Sequence, residues 1–203
     1  AIQESCNYYF NMVGFMLGQD ENGDFSENRS LSALQKYASE IGLDKKTGIE
    51  ITESSPQVSN SYAVPSYIGQ GTHAYTTSQL ARYATAIATS GTVYDLTLLD
   101  RQTDSRGQTL KEYEPKVINT VELSQNVWDD IHDGMYRVVQ THSQFDGLGV
   151  DVAGKTGTAE VDVYHPNHGM FIGYAPASDP EYAIAVRIEN GYSSGNACLA
   201  ADD

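Results

Sequence analysis

Basic residues are scarce in this chain. Lys and Arg number 12 against 27 Asp and Glu, a formal net charge of -15. Nucleic-acid binding is therefore not expected, because phosphates are neutralised by Lys and Arg. Cysteine is scarcer still, and Cys6 and Cys198 alone make no disulfide framework in 203 residues. There is no C-x-x-C and no clustered set of His, Cys and acidic ligands, so neither a metal nor a cofactor is expected. No apolar run approaches the ~18 residues that suggest a membrane span, and no signal peptide is visible. A start methionine is also absent: the sequence opens at Ala1 and stops at Asp203 without a closing signal. It reads as part of a longer protein, cut at both ends, so missing targeting segments carry little weight. The length suits one large domain, or one domain in two lobes.

What is present centres on Val152-Ala153-Gly154-Lys155-Thr156-Gly157-Thr158-Ala159-Glu160. Gly154 and Gly157 have no Cβ, so a substrate or another strand can come close to the backbone. Lys155 offers a point charge to a carboxylate. Thr156 and Thr158 share one face of a strand. Such an edge suits an anionic, peptide-like substrate held beside a nucleophile.

Along the chain, Tyr8 to Leu17 is apolar nearly all round and predicts a buried helix stopped by Gly18. Gln19 to Arg29 reads as a loop. Ser30 or Ser32 is the expected cap of a helix running to Ile41, and 48–67 reads as mostly irregular. Thr76 or Thr77 caps a helix through Leu80, Tyr83, Ala84, Ile87 and Ala88. Thr92 to Leu99 and Gln108 to Tyr113 flank the turn Asp104-Ser105-Arg106-Gly107, a hairpin signal. Ser124 caps a third long helix through Val139. After Gly149 the period changes from 3.6 to 2. Three antiparallel strands are expected, around Lys155, over Met170 to Tyr174, and from Tyr182 to Ile188. The fold class is α+β: a helical lobe over about 1–145 packed on a sheet lobe over about 146–203.

Several short motifs carry chemistry, and each is weak by itself. Lys46-Thr47-Gly48 duplicates Lys155-Thr156-Gly157, but its charged neighbours Asp44, Lys45 and Glu50 suggest a solvated loop. Ser5-Cys6-Asn7 before a helix is most simply a cap. Gly191-Tyr192-Ser193-Ser194-Gly195 matches a nucleophile elbow, yet the last histidine, His168, lies upstream of Ser193, and an elbow needs its histidine downstream. A Gly/Ser turn is the better account. His165 and His168 flank a Pro-Asn turn with no third ligand nearby and suit a turn surface. The 14 tyrosines are better explained by packing than by stacking on sugars.

Taken together, the motifs resemble the transpeptidase domain of class B penicillin-binding proteins. The carriers are Ser5-Cys6-Asn7-Tyr8-Tyr9-Phe10, Gly42-Leu43 with Lys46-Thr47-Gly48-Ile49, Ile68-Gly69-Gln70-Gly71, Thr77-Ser78-Gln79-Leu80-Ala81, Gly154 to Ala159, and Phe171-Ile172-Gly173-Tyr174-Ala175-Pro176. Six motifs in this order are far more specific than any one. The resemblance covers nearly the whole chain and implies the penicillin-binding protein and serine β-lactamase-like fold. It also implies serine acyl transfer on D-Ala-D-Ala stem peptides of peptidoglycan, with β-lactam antibiotics caught as acyl-enzymes.

The implied site is Ser5 in the proton path, Asn7 on the substrate amide, and Lys155 as positive potential. Thr156, Gly157 and Thr158 hold the carboxylate, with a backbone N–H at Thr158 in the oxyanion hole. One element departs: no serine here has a lysine three positions on, and the family's Ser-x-x-Lys lies upstream of Ser-x-Asn, so it is expected before Ala1. The family's last helix is expected after Asp203. The intact protein is expected to be membrane-anchored on the extracytoplasmic face, within a cell-wall synthesis complex. A β-lactam-recognising hydrolase or sensor on the same fold, and a non-catalytic binding module, stay open as alternatives.

Overall fold

The computed structural model describes residues 1–160 and 162–202. Helix α1 (Asn7–Leu17) ends at Gly18. It is not the buried helix its composition predicts: Tyr8 is 77% exposed, and Tyr9, Phe15, Met16 and Leu17 are exposed as well. It is covered where the Tyr67 ring lies against Gly14. Elsewhere on the helix Phe15 stacks on Phe25, with ring centroids 5.2 Å apart.

Helix α2 (Glu27–Glu40) starts earlier than expected, with Ser26 at its N-cap position. Ser30 is no cap. It is fully buried and donates its hydroxyl to the Gly14 carbonyl at 2.7 Å, tying α2 to α1. The polar first turn carries no apolar period, which is why sequence pattern placed the start too late. A short helix, α3 (Ala63–Ser66), interrupts the otherwise irregular 48–67 stretch.

Helix α4 (Thr77–Ala88) begins with a capping box. The Thr76 hydroxyl accepts the Gln79 N–H, and the Gln79 side chain accepts the Thr76 N–H, satisfying two donors that a helix start leaves free. Its apolar face enters the core through Ala84, Ala86 and Ile87.

The expected hairpin divides into two ladders. Around Asp104–Gly107, β2 (Arg101–Thr103) pairs with β3 (Thr109–Glu112), while β1 (Thr92–Asp95) pairs with β4 (Lys116–Thr120). The Asp104 carboxylate accepts the N–H groups of Arg106 and Gln108, so the turn is tight and only its immediate flanks can pair. β1 must then find a partner further along the chain.

Helix α5 (Gln125–Val139) presents Trp128, Met135, Val138 and Val139 inward. The main sheet is β5 (Ala153–Ala159), β6 (His168–Ala175) and β7 (Tyr182–Ile188), antiparallel in the order β5-β6-β7, as the alternation predicts. One core cluster joins α4, α5 and the sheet through Ile87, Met135, Ala153 and Tyr174. A second joins α5 and the sheet to a last helix through Val139, Phe171, Ala197 and Cys198.

That last helix, α6 (Ser194–Asp202), is not expected from the sequence. The Gly/Ser segment is the approach to a helix rather than only a turn, and that helix already forms before Asp203. Small residues hid it, because they give almost no amphipathic signal. They also let α6 sit close: a Cβ on Gly169 of β6 would fall 2.3 Å from the Ser193 carbonyl oxygen.

Candidate active site

β5 is positioned from behind. Register pairs Gly154 with Gly173 and Thr156 with Phe171. The Phe171 ring occupies the space that a Cβ on Gly154 would take, at 2.3 Å. Glycine at 154 therefore lets β5 lie flat on a buried aromatic. Side-chain alternation sends Ala153, Lys155 and Gly157 to one face, with Gly154, Thr156 and Thr158 on the other. Ala153 is fully buried beneath Lys155 and anchors the strand in the α4–α5 core.

Lys155 is half-buried. Its ammonium donates to the Ser5 hydroxyl at 2.5 Å and to the Thr156 carbonyl at 2.8 Å. Burial pulls its pKa below the ordinary lysine value. Among the described residues it forms no salt bridge, and no carboxylate of theirs cancels its charge. A half-buried cation without a counter-ion is a natural receptor for an anionic group.

Ser5 lies at the end of a turn. Its N–H donates to the Ile2 carbonyl at 3.1 Å, and the Cys6 N–H donates to the Ala1 carbonyl at 3.2 Å. Ser5 has φ of 45°, the left-handed region that serine seldom enters. Such a conformation costs of order 1–3 kcal/mol and persists where its surroundings impose it, often at functional sites. Asn7 opens α1 two residues later and is exposed. Ser5 and Lys155 thus meet directly, Asn7 stands at the same helix start, and Thr156, Gly157 and Thr158 continue along β5 at the sheet edge, with Thr158 exposed.

The duplicate triplet is placed very differently. Lys46 is exposed, but Thr47 is fully buried, so this is no freely solvated loop. The Glu53 carboxylate accepts the Thr47 N–H at 2.7 Å and the hydroxyls of Thr47, Thr76 and Ser78. Burial pushes Glu53 upward, yet the hydrogen bonds led by Ser78 and Thr47 outweigh it and hold the carboxyl below its ordinary range. Arg82, buried on α4, donates to the carbonyls of Lys46 at 3.0 Å, Lys45 at 2.6 Å and Gly42. This copy is a structural clasp between α4 and the segment that follows α2. Nothing in its sequence announces that role, since partners such as Glu53 and Arg82 are remote in the chain.

The two histidines share no site. His165 contacts the Asp162 carboxylate at 2.8 Å, whereas His168 sits on β6 beside Arg187 at 2.8 Å. Among the described residues no three His, Cys, Asp or Glu side chains form a group able to hold a metal ion. Concavity alone points elsewhere: a groove of about 510 Å³ lined by Leu98, Arg101, Glu112 and Tyr113 lies at the β2–β3 hairpin. It contains neither Lys155 nor Ser5, and the cation–hydroxyl pairing on β5 is the better guide to chemistry.

With this geometry in hand, comparison with known proteins is direct. The family described as "Penicillin binding protein transpeptidase domain" matches residues 1–201. Penicillin-binding protein 2B of Streptococcus pneumoniae strain R6 is 30% identical over 92% of this chain and 31% of its own length. Its solved structure superposes with a TM-score of 0.87 at 25% identity, covering 100% of this chain and 37% of that one. The peptidoglycan D,D-transpeptidase MrdA of Acinetobacter baumannii is 26% identical over 99% of this chain and 33% of its length. Penicillin-binding protein A of M. tuberculosis, solved as an imipenem acyl-enzyme complex, superposes with a TM-score of 0.81 at 25% identity, over 98% of this chain and 44% of that one. The chain spans about a third of the length of the curated relatives it matches. Its motifs, its helix-and-sheet architecture and the family match over residues 1–201 agree: the chain belongs to the penicillin-binding protein transpeptidase domain family.

Proposed function

We infer that this chain forms the greater part of a D,D-transpeptidase site that cross-links peptidoglycan stem peptides by serine acyl transfer. The observation that carries the reading is the 2.5 Å contact between Lys155 Nζ and Ser5 Oγ, across a sequence separation of 150. It joins a cation without a counter-ion to a hydroxyl on a strained turn, beside the open edge of a strand.

In this reading a serine outside these 203 residues attacks the D-Ala-D-Ala amide carbonyl. No serine of the present sequence stands three residues before a lysine. The serine's C–O bond forms as the amide C–N bond breaks, and the terminal D-Ala leaves with a proton. Ser5 relays that proton. Lys155 keeps the relay poised, because its positive charge favours the deprotonated form of nearby groups. Asn7 hydrogen-bonds the substrate amide. Thr156 and Thr158 hold the terminal carboxylate from the other face of β5, at the open edge that Lys155 reaches through the Thr156 carbonyl, while Gly157 leaves room there. The Thr158 N–H faces the developing oxyanion. A second stem-peptide amine then takes the acyl group.

β-Lactams are proposed to acylate the same serine; the M. tuberculosis relative is an imipenem acyl-enzyme complex. The intact protein is proposed to be anchored in the bacterial membrane, with this domain outside it, in a cell-wall synthesis complex. No helix among the described residues is long and apolar enough to cross a membrane.

The test is labelling with a fluorescent penicillin followed by mass spectrometry. The full-length protein is expected to take one adduct, on a serine outside residues 1–203, and the 203-residue chain alone is expected to take none. An adduct on Ser5, or on any serine of this chain, would refute the assignment.

A further inference from the structure

Gly134 sits inside α5, where a glycine costs about 1 kcal/mol relative to alanine. Its neighbour accounts for it. A Cβ at position 134 would lie 3.0 Å from Ile2 Cβ, 3.2 Å from Cδ1 and 3.3 Å from Cγ2. Ordinary carbon contacts are about 3.5–4.0 Å. Ile2 therefore rests directly on the helix backbone, and it packs against the cluster of Ile87, Met135, Ala153 and Tyr174.

Ile2 is also part of the turn that presents Ser5, since its carbonyl accepts the Ser5 N–H. Lys155 is referred to the same helix. Ala153, two residues before it on β5, shares a cluster with Met135, the residue next to Gly134. The two halves of the Ser5–Lys155 contact are thus both seated on one turn of α5.

We propose that Gly134 and Ile2 are positioning residues for the acyl-transfer site. The missing side chain at 134 sets how deeply Ile2 seats, and Ile2 sets how far Ser5 Oγ stands from Lys155 Nζ. A Cβ at 134 would push Ile2 outward by a few tenths of an ångström. Because the nearest Ile2 atom is Cβ, which is fixed to the backbone, rotamer change cannot absorb that shift. The inference rests on the acyl-transfer reading for its activity readout.

The experiment uses the full-length protein as wild type, Gly134→Ala, Ile2→Ala and the double variant. Acylation by a fluorescent penicillin is resolved into a noncovalent Kd and an acylation rate constant, each per folded molecule. Gly134→Ala is expected to lower the rate constant roughly 5-fold, since small misplacements of reacting groups cost rate steeply, with Kd unchanged. Ile2→Ala is expected to lower it too, and the double variant to lose less than the product of the singles, because both act through one contact.

A purely structural role would change melting temperature and leave the rate constant of the folded molecules alone. That result, or single losses that multiply, would overturn the proposal. If Gly134→Ala does not fold, Ile2→Val is measured instead; a reduced rate constant supports the proposal and a wild-type one overturns it. A wild-type protein that takes no penicillin defeats the acyl-transfer reading itself. Normal wild-type labelling with an unaffected Gly134→Ala defeats only this inference.

Discussion

The Glu53 carboxylate accepts hydrogen bonds from both the N–H and the hydroxyl of Thr47, at 2.7 and 3.1 Å. That relationship separates two identical triplets. Thr47 is spent inside the protein, whereas Thr156 and Thr158 lie along the strand that carries Lys155.

Lys155→Ala in the full-length protein is therefore expected to reduce acylation by a β-lactam at least ~100-fold, the scale of a lost preorganised electrostatic group. Lys46→Ala is expected to change it less than ~2-fold, because Lys46 is exposed and only its backbone carbonyl is used, by Arg82. Second-order acylation rates measure both. Equal losses would mean that the wrong triplet has been chosen.

Lys155 also has a stability signature. Burial lowers its folded-state pKa, so the unfolded chain holds more protons between the lowered folded value and the ordinary unfolded one. Stability from this group rises with pH through that window and carries a constant penalty below it. Lys155→Met should then melt higher than wild type at neutral pH while losing acylation, and the gap should narrow as pH rises through the window. Thermal melts at a series of pH values test this; a Lys155→Met protein less stable at neutral pH would contradict it.

Tyr174 is 1% exposed, and its buried hydroxyl has no hydrogen-bond partner among the described residues. Burial pushes its pKa up to about 12. Removing an unsatisfied buried hydroxyl should recover ~1 kcal/mol. Tyr174→Phe should raise Tm by roughly 2–4 °C. A lower Tm would show that the hydroxyl has a partner.

Arg82 is 1% exposed and serves the carbonyls of Gly42, Lys45 and Lys46. Burial lowers its pKa, opposed chiefly by the charge of Glu53. Arg82→Met leaves buried carbonyls without donors and should destabilise the domain by ~3 kcal/mol, seen as a shift in urea midpoint. A shift below a third of that would show that water replaces the guanidinium.

The amino-acid sequence by itself determined the elements whose signal is local. The Thr76 capping box, the 3.6 period of α5, and the alternation of β7 each needed only near neighbours. It also placed the lysine, the hydroxyls and the glycines of the candidate site at fixed spacing along one strand, β5. Tertiary structure alone decided the rest. That α1 keeps Tyr8 and Tyr9 exposed, that Thr47 is clasped by Glu53, and that α6 forms from small residues pressed on Gly169 all follow from contacts between segments remote in sequence. The meeting of Ser5 with Lys155 belongs there too: the two are 150 residues apart, and tertiary packing of their two segments brings hydroxyl and ammonium within hydrogen-bond reach.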